Sequence, residues 1–141
     1  LTAGVVIKID NDLDRMTWDQ LLQAFTIGEI YELPGLGHPL DRSIKLESLA
    51  DLANFNPVAD LFVLAGVDGD FVQGDVDLQE LEHPADAIYI FGGTMTRLTA
   101  AEIYDAPIPV SKVYISADGV TLFPAQAGAI VLWDRLTKAA L

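Results

Sequence analysis

Short apolar runs rich in β-branched and aromatic residues recur along the chain at residues 5–9, 30–33, 61–65, 87–91 and 112–115. Val5-Val6-Ile7-Lys8-Ile9, Leu61-Phe62-Val63-Leu64-Ala65 and Ala87-Ile88-Tyr89-Ile90-Phe91 lack the polar alternation of a half-exposed strand, so they read as strands covered on both faces. Between them the pattern turns helical. Thr17-Trp18-Asp19-Gln20 has capping-box spacing and predicts a helix through Phe25, closed by Gly28. Ile44, Leu46, Leu49, Leu52 and Ala53 predict a second helix over residues 43–54, blocked by Pro57. One helical turn is expected at residues 77–80, and a short helix from the Thr99–Glu102 box to Asp105, ahead of Pro107 and Pro109. The last helix opens at Pro124 and carries Ala127, Ile130, Val131 and Leu132 through to Leu136. Strands alternating with helices, and no hairpin signal between them, predict an α/β domain with a mostly parallel sheet.

In such a sheet ligands bind beyond the carboxyl ends of the strands, which here are the turns after Ala65, Phe91 and Ile115. Those three turns are expected to converge. The small residues Ala125, Ala127, Gly128 and Ala129 let something approach the last helix closely, whether the sheet, a ligand or a second copy of the helix.

Composition narrows the chemistry. With 141 residues, 51% of them hydrophobic, the chain has material for one core, so residues 1–141 are read as a single domain. The formal net charge of -13 opposes a polyanion, and the eight basic residues are scattered. RNA binding by this chain alone is therefore disfavoured, although a dimer can gather a few arginines and a protein partner can add basic surface. No cysteine is present for a disulfide or thiolate site, and no apolar run reaches membrane-spanning length. A soluble, cytoplasmic protein is expected. Asp10, Asp12 and Asp14 alternate as in a calcium loop, but Arg15 stands where glycine is needed, so they read as a plain acidic turn. Asp68, Asp70, Asp75 and Asp77 read as turn acids, and His38 and His83, both beside prolines, as solvent-exposed turn histidines. No metal site is expected.

The run His83-Pro84-Ala85-Asp86-Ala87-Ile88-Tyr89-Ile90-Phe91-Gly92 resembles the second motif of the SPOUT (SpoU-TrmD) RNA methyltransferases, in which a strand ends in a phenylalanine-glycine turn. Val113-Tyr114-Ile115, a polar loop and the run from Thr121 through Pro124 and Gly128 to Asp134 are similar to the third motif, where Ser-Leu-Asn opens an alanine-rich helix. Order and spacing are kept over residues 83–136, and weaker similarity reaches Asp10-Asn11 and residues 61–66. The resemblance is nearest to the SpoU-like, ribose 2'-O-methylating branch. It implies a C-terminal trefoil knot in the α/β fold, a homodimer packed partly through the last helix, and S-adenosylmethionine held largely by backbone. Carried over by position, the cofactor residues are Ala65, Gly66, Phe91, Gly92, Gly93, Tyr114, Ile115, Leu122, Phe123 and Ala125.

The departures from the family pattern bear on mechanism. The arginine expected in the first helix falls on Gln20 or Leu22, the asparagine of the third motif on Phe123, and the glutamate after the glycine turn on Thr94. Arg97, or Arg15 from a second subunit, is the candidate substitute for the missing cation. The resemblance thus implies a divergent S-adenosylmethionine-binding RNA methyltransferase with altered catalytic residues. The alternatives are a catalytically inactive binding or regulatory protein of the same fold, and a flavodoxin-like sheet without a knot.

Overall fold

The computed structural model describes residues 2–67, 75–115 and 122–140. Seven strands, β1 Thr2–Lys8, β2 Glu29–Leu33, β3 Ile44–Lys45, β4 Asp60–Val63, β5 Asp75–Asp77, β6 Asp86–Ile90 and β7 Val110–Tyr114, lie in the order β3-β2-β1-β6-β4-β7-β5. Every pairing among them is parallel. The expected α/β class and parallel sheet are therefore found. The turn after Ile115, the turn acids Asp68 and Asp70, and Thr121 lie outside the described residues.

Because successive strand side chains point to opposite faces, each apolar run feeds two cores. Val5, Ile7, Phe62, Leu64, Ala87, Tyr89 and Phe91 pack on one face with Trp18 and Leu22 of α1 (Asp12–Ala24) and with Ala127, Val131 and Leu132 of α3 (Pro124–Ala139). Val6, Leu61, Val63, Ile88 and Ile90 pack on the other with Leu49, Leu52 and Ile103, the last from α2 (Ala100–Tyr104). Burial on both faces explains why these strands carry no polar alternation. Helices α1 and α3 touch through Trp18, whose ring sits where a Cβ on Gly128 would come within 2.7 Å. At Gly128 the last helix thus receives an aromatic side chain from α1.

Three sequence expectations need correction. Helix α1 begins at Asp12, capped by the Asn11 side chain, which accepts from the Asp14 amide at 2.8 Å. Thr17 lies inside the helix and donates to the Leu13 carbonyl at 2.8 Å, because Asn11 is the earlier and stronger cap. Residues 43–54 do not form one helix. Ile44–Lys45 adds an edge strand beside Tyr31 and Glu32, and only Leu49–Asn54 winds, as a 3-10 turn with a Ser48–Asp51 capping box. The buried Glu32 carboxylate draws this segment in, accepting from the Leu40 amide at 3.1 Å, the Ser43 hydroxyl at 2.5 Å and Lys45 at 3.4 Å. Finally, Asp75 and Asp77 belong to β5, the opposite edge strand, and Asp77 also caps the 3-10 turn Leu78–Glu80 through the Gln79 amide at 3.0 Å.

Among the described residues no helix is long and apolar enough to cross a membrane, and no three His, Asp or Glu side chains gather as a metal site would require.

Candidate functional site

Two of the three expected turns interlock at the carboxyl end of the sheet. Beyond β4 and β6 the chains stay zipped: Leu64 donates to the Ile90 carbonyl at 3.0 Å, Gly92 to Ala65 at 3.0 Å, and Leu98 to Gly66 at 2.7 Å. Val67 and Leu98 then form a parallel bridge. Gly66 adopts φ +81, a left-handed conformation that disfavours any side chain, and a Cβ on Gly92 would lie 1.9 Å from the Gly66 carbonyl oxygen. Backbone meets backbone here. The glycines are required by this mutual approach, and the turn of residues 93–96 is closed by a Gly93 amide to Thr96 carbonyl bond of 2.8 Å.

The other positions arrange around this pair. Ala65, Ile115 and Ala125 are each partly buried against the core shared by α1 and α3, so residues far apart in sequence border the same apolar mass. Tyr114 ends β7, the strand beside β4, and its side chain is exposed. Leu122 is partly buried, while Phe123 is exposed and donates its amide to the Gln126 side chain at 2.9 Å, with Pro124 opening α3. Phe91 differs from the rest. Its side chain is fully buried, 5.1 Å from Trp18, and its amide donates to Val6, so it supports the turn from beneath.

The two candidate arginines are placed differently. Arg97 leaves the 93–98 loop and donates to the Val67 carbonyl at 2.7 Å, which brings a guanidinium onto the 65–67 turn. Arg15, on α1, donates to the Pro39 carbonyl at 3.3 Å and pairs with Asp41 at 3.8 Å. Of the two positions where the missing helix arginine was expected, Gln20 is exposed and Leu22 is 0% exposed within the core.

Sequence reasoning missed the groups that hold the site. Asp10 and Asp14 form no plain acidic turn, for both are buried and hydrogen-bonded inward. Asp10 accepts from the Leu36 amide, the Met95 and Thr96 amides and the Thr96 hydroxyl, while Asp14 accepts from the Asp10 amide at 3.2 Å and the Thr94 hydroxyl at 2.8 Å. Burial by itself would raise the Asp10 pKa. The bonds from Leu36, Thr96 and Met95 outweigh it and hold the carboxyl below its ordinary value. The available signal was position: Asp10 follows β1 at the sheet end where ligand loops gather.

At the opposite, amino end His83 is also unlike its expected exposed turn. Its side chain is only 5% exposed, with Nδ1 2.6 Å from the Tyr89 hydroxyl and Nε2 2.6 Å from Asp134. Burial pushes its pKa down, and the pull of Asp134 does not restore it against the charges of Lys138 and Arg135. A cavity of about 500 Å³ adjoins this cluster, lined by Leu81, His83, Arg135 and Lys138 among others. Its cations are already engaged: Arg135 donates to the Pro84 and Ala85 carbonyls, and Lys138 to those of Leu78 and Leu81. They pin residues 78–85 to α3. His38, by contrast, is exposed as expected.

No family model and no curated protein matches the sequence. The fold does match solved structures. A TrmH-family protein from Porphyromonas gingivalis superposes with a TM-score of 0.67 at 18% identity, covering 96% of this chain and 60% of that one. An rRNA methyltransferase from Sinorhizobium meliloti gives 0.69 at 15% identity, covering 97% and 56%. An AdoMet-bound rRNA methyltransferase from the same organism gives 0.62 at 15% identity, with the same coverage. The chain spans 60% and 56% of the length of the first two. The parallel α/β sheet expected from the sequence is found, and these solved structures share its fold.

Proposed function

We propose that this chain, as one domain, binds S-adenosylmethionine at the carboxyl end of its sheet and transfers the methyl group to RNA as a homodimer. The observation that carries the reading is the interlock of Gly66 with Gly92, backbone against backbone, in a fold shared with a structure described as AdoMet-bound. The residues present fit such a ligand. Ala65, Ile115 and Ala125 offer an apolar border for an adenine ring and a thioether chain, and the interlocked turns at Gly66 and Gly92 set backbone groups beside it. When bound, the cofactor supplies an electrophilic methyl group on a cationic sulfur. The chain's own task is then alignment of the nucleophile and uptake of its proton.

Arg97 is the cation best placed for alignment, since its bond to Val67 sets it on the turn beside Ala65 and Gly66. Arg15 would reach a site only from a second copy. Such a copy has a surface to meet: Ile130, Trp133 and Leu136 form an exposed apolar stripe on α3, and Leu13 and Met16 are exposed on α1, the helix packed against it. The same reading carries a trefoil knot, with α3 threaded through a loop. A net charge of -13 means that RNA affinity has to come from a few converging arginines or from a basic partner.

One observation favours a second reading, that of a catalytically silent binding module. Of the two α1 positions on which the family arginine falls, Gln20 carries no charge and Leu22 is sealed in the core. Calorimetry with S-adenosylmethionine tests the shared part of both readings, since absence of heat at millimolar ligand removes the cofactor. A methyl-transfer assay on RNA, with Gly92→Trp as the blank, separates them: signal above that blank supports the enzyme, and equality supports the module. Sizing tests the dimer, because elution as a 15.2 kDa monomer contradicts it.

A further inference from the structure

We propose that Asp10 is the positioning residue of the cofactor turn: its carboxylate, planted at the end of β1, holds residues 93–97 in the shape that ligand binding requires. This deepens the reading above and rests on it. Asp10 is 6% exposed, and both oxygens are fully used. Oδ2 accepts from the amides of Met95 and Thr96, each at 2.7 Å. Oδ1 accepts from the Thr96 hydroxyl at 2.7 Å and from the Leu36 amide at 3.0 Å. Two consecutive amides converging on one oxygen form the concavity that elsewhere receives an anion, and here the chain supplies the anion itself.

The clip is anchored at both ends. Asp10 is held by its own amide, which donates to Asp14, and Asp14 takes the Thr94 hydroxyl as well. Residues 94, 95 and 96 are therefore gripped in succession by two carboxylates, one just past β1 and one in the first turn of α1. Beyond the grip, Arg97 turns to Val67 and Leu98 to Gly66, so the orientation of the candidate cation depends on the clip as well. Through Leu36 the same carboxylate ties in the loop after β2. Without it three backbone amides and a hydroxyl lose their acceptor, and the turn is left with its Gly93–Thr96 closure, the Thr94 bond to Asp14 and its Gly66–Gly92 side.

Asparagine at position 10 keeps the shape but sets an NH₂ group against donors. In calorimetry with S-adenosylmethionine, Asp10→Asn is expected to bind about tenfold or more weakly than wild type, at a temperature where urea titration shows both folded. Amide exchange at Met95 and Thr96 should quicken in the same variant while Leu64 and Phe91 stay protected. Thr96→Val, which removes one of the four bonds, should give a smaller loss of affinity and serves if Asp10→Asn fails to fold. Unchanged affinity in a folded variant, with wild type binding normally, overturns the inference alone. If wild type takes up no ligand, the cofactor reading fails first and the inference falls with it.

Discussion

Replacing Gly92 by alanine tests the interlock on which the site depends. The added Cβ would stand 1.9 Å from the Gly66 carbonyl oxygen, where real Cβ contacts essentially never fall below 3.0 Å, so the two turns must part by about 1.1 Å. The obstacle is backbone on both sides and cannot swing away as a side chain would. Parting the turns breaks the Gly92 to Ala65 and Leu98 to Gly66 bonds, of 3.0 and 2.7 Å, in a place where Gly92 and Leu98 are buried. Two such bonds are worth about 1 kcal/mol each, and stranded buried groups cost a further ~1–3 kcal/mol. The expected loss is roughly 3–5 kcal/mol, a large share of the ~5–15 kcal/mol that holds a domain together. Urea unfolding followed by fluorescence of the buried Trp18 gives the measurement, with the midpoint expected to fall and the melting temperature to drop by roughly 10 °C. Gly28→Ala is the control, since nothing lies within 4 Å of its added Cβ and its backbone is not left-handed; it should change stability by at most about 1 kcal/mol, in the stabilising direction. A Gly92→Ala protein as stable as wild type would show that the two turns do not touch as described, and the ligand site built on them would go too.

The lowered pKa of His83 predicts a pH dependence: the unfolded chain takes up a proton near 6.5 before the folded one does, so the stability this burial allows is present above that pH and is lost as pH falls through the lower folded value. Urea midpoints taken from pH 7.5 down to 5 should decline, and His83→Asn should flatten that part of the profile; an unchanged slope refutes the assignment. Lys8 is buried and, among the described residues, pairs with the half-exposed Glu102 at 3.4 Å, so Glu102→Gln, which removes the charge facing the buried cation, should destabilise more than Lys8→Met, and the reverse order would contradict the burial argument. Because Asp10 already occupies the consecutive amides of Met95 and Thr96, that pair is closed to a phosphate, and ATP should bind at least tenfold more weakly than S-adenosylmethionine; comparable affinities in calorimetry would mean that the clip opens.

The parts of this molecule that were legible in its sequence are those where local pattern and tertiary environment agree. Runs such as Leu61-Phe62-Val63 announce a strand covered on both faces, and the structure covers them with two separate cores. The turn pair was legible because glycine at the end of such a strand has few other reasons to be there, as the Gly66 and Gly92 contact bears out. Residues 43–54 misled because their helical spacing is real but is outweighed by Glu32, a buried carboxylate whose need for donors recruits Ser43 and Lys45 into an edge strand. Polar tethers misled more deeply. Asp10 and Thr96 are separated by 86 positions, and His83 and Asp134 by 51, so no local window contains both halves of either contact. An aspartate in a polar stretch reads as solvated until its partner is known.

These tethers differ in sign between the two ends of the sheet, and the difference bears on what each end can do. Arg135 and Lys138, near the end of α3, spend their donors on the carbonyls of residues 78–85, which connect β5 to β6 outside the sheet ladder. At the carboxyl end the carboxylates of Asp10 and Asp14 accept from the loop after β6. Cations satisfy carbonyls below, and anions satisfy amides above. Among the described residues, a ligand arriving above meets the buried carboxylates of Asp10 and Asp14 behind the turn, with the Arg97 guanidinium on the Val67 carbonyl beside it. That field favours a molecule bearing positive charge at its centre, as a sulfonium does, over a polyphosphate of the same size. The acid excess that argues against RNA as a partner for the bare surface therefore argues, at this one place, for the cofactor.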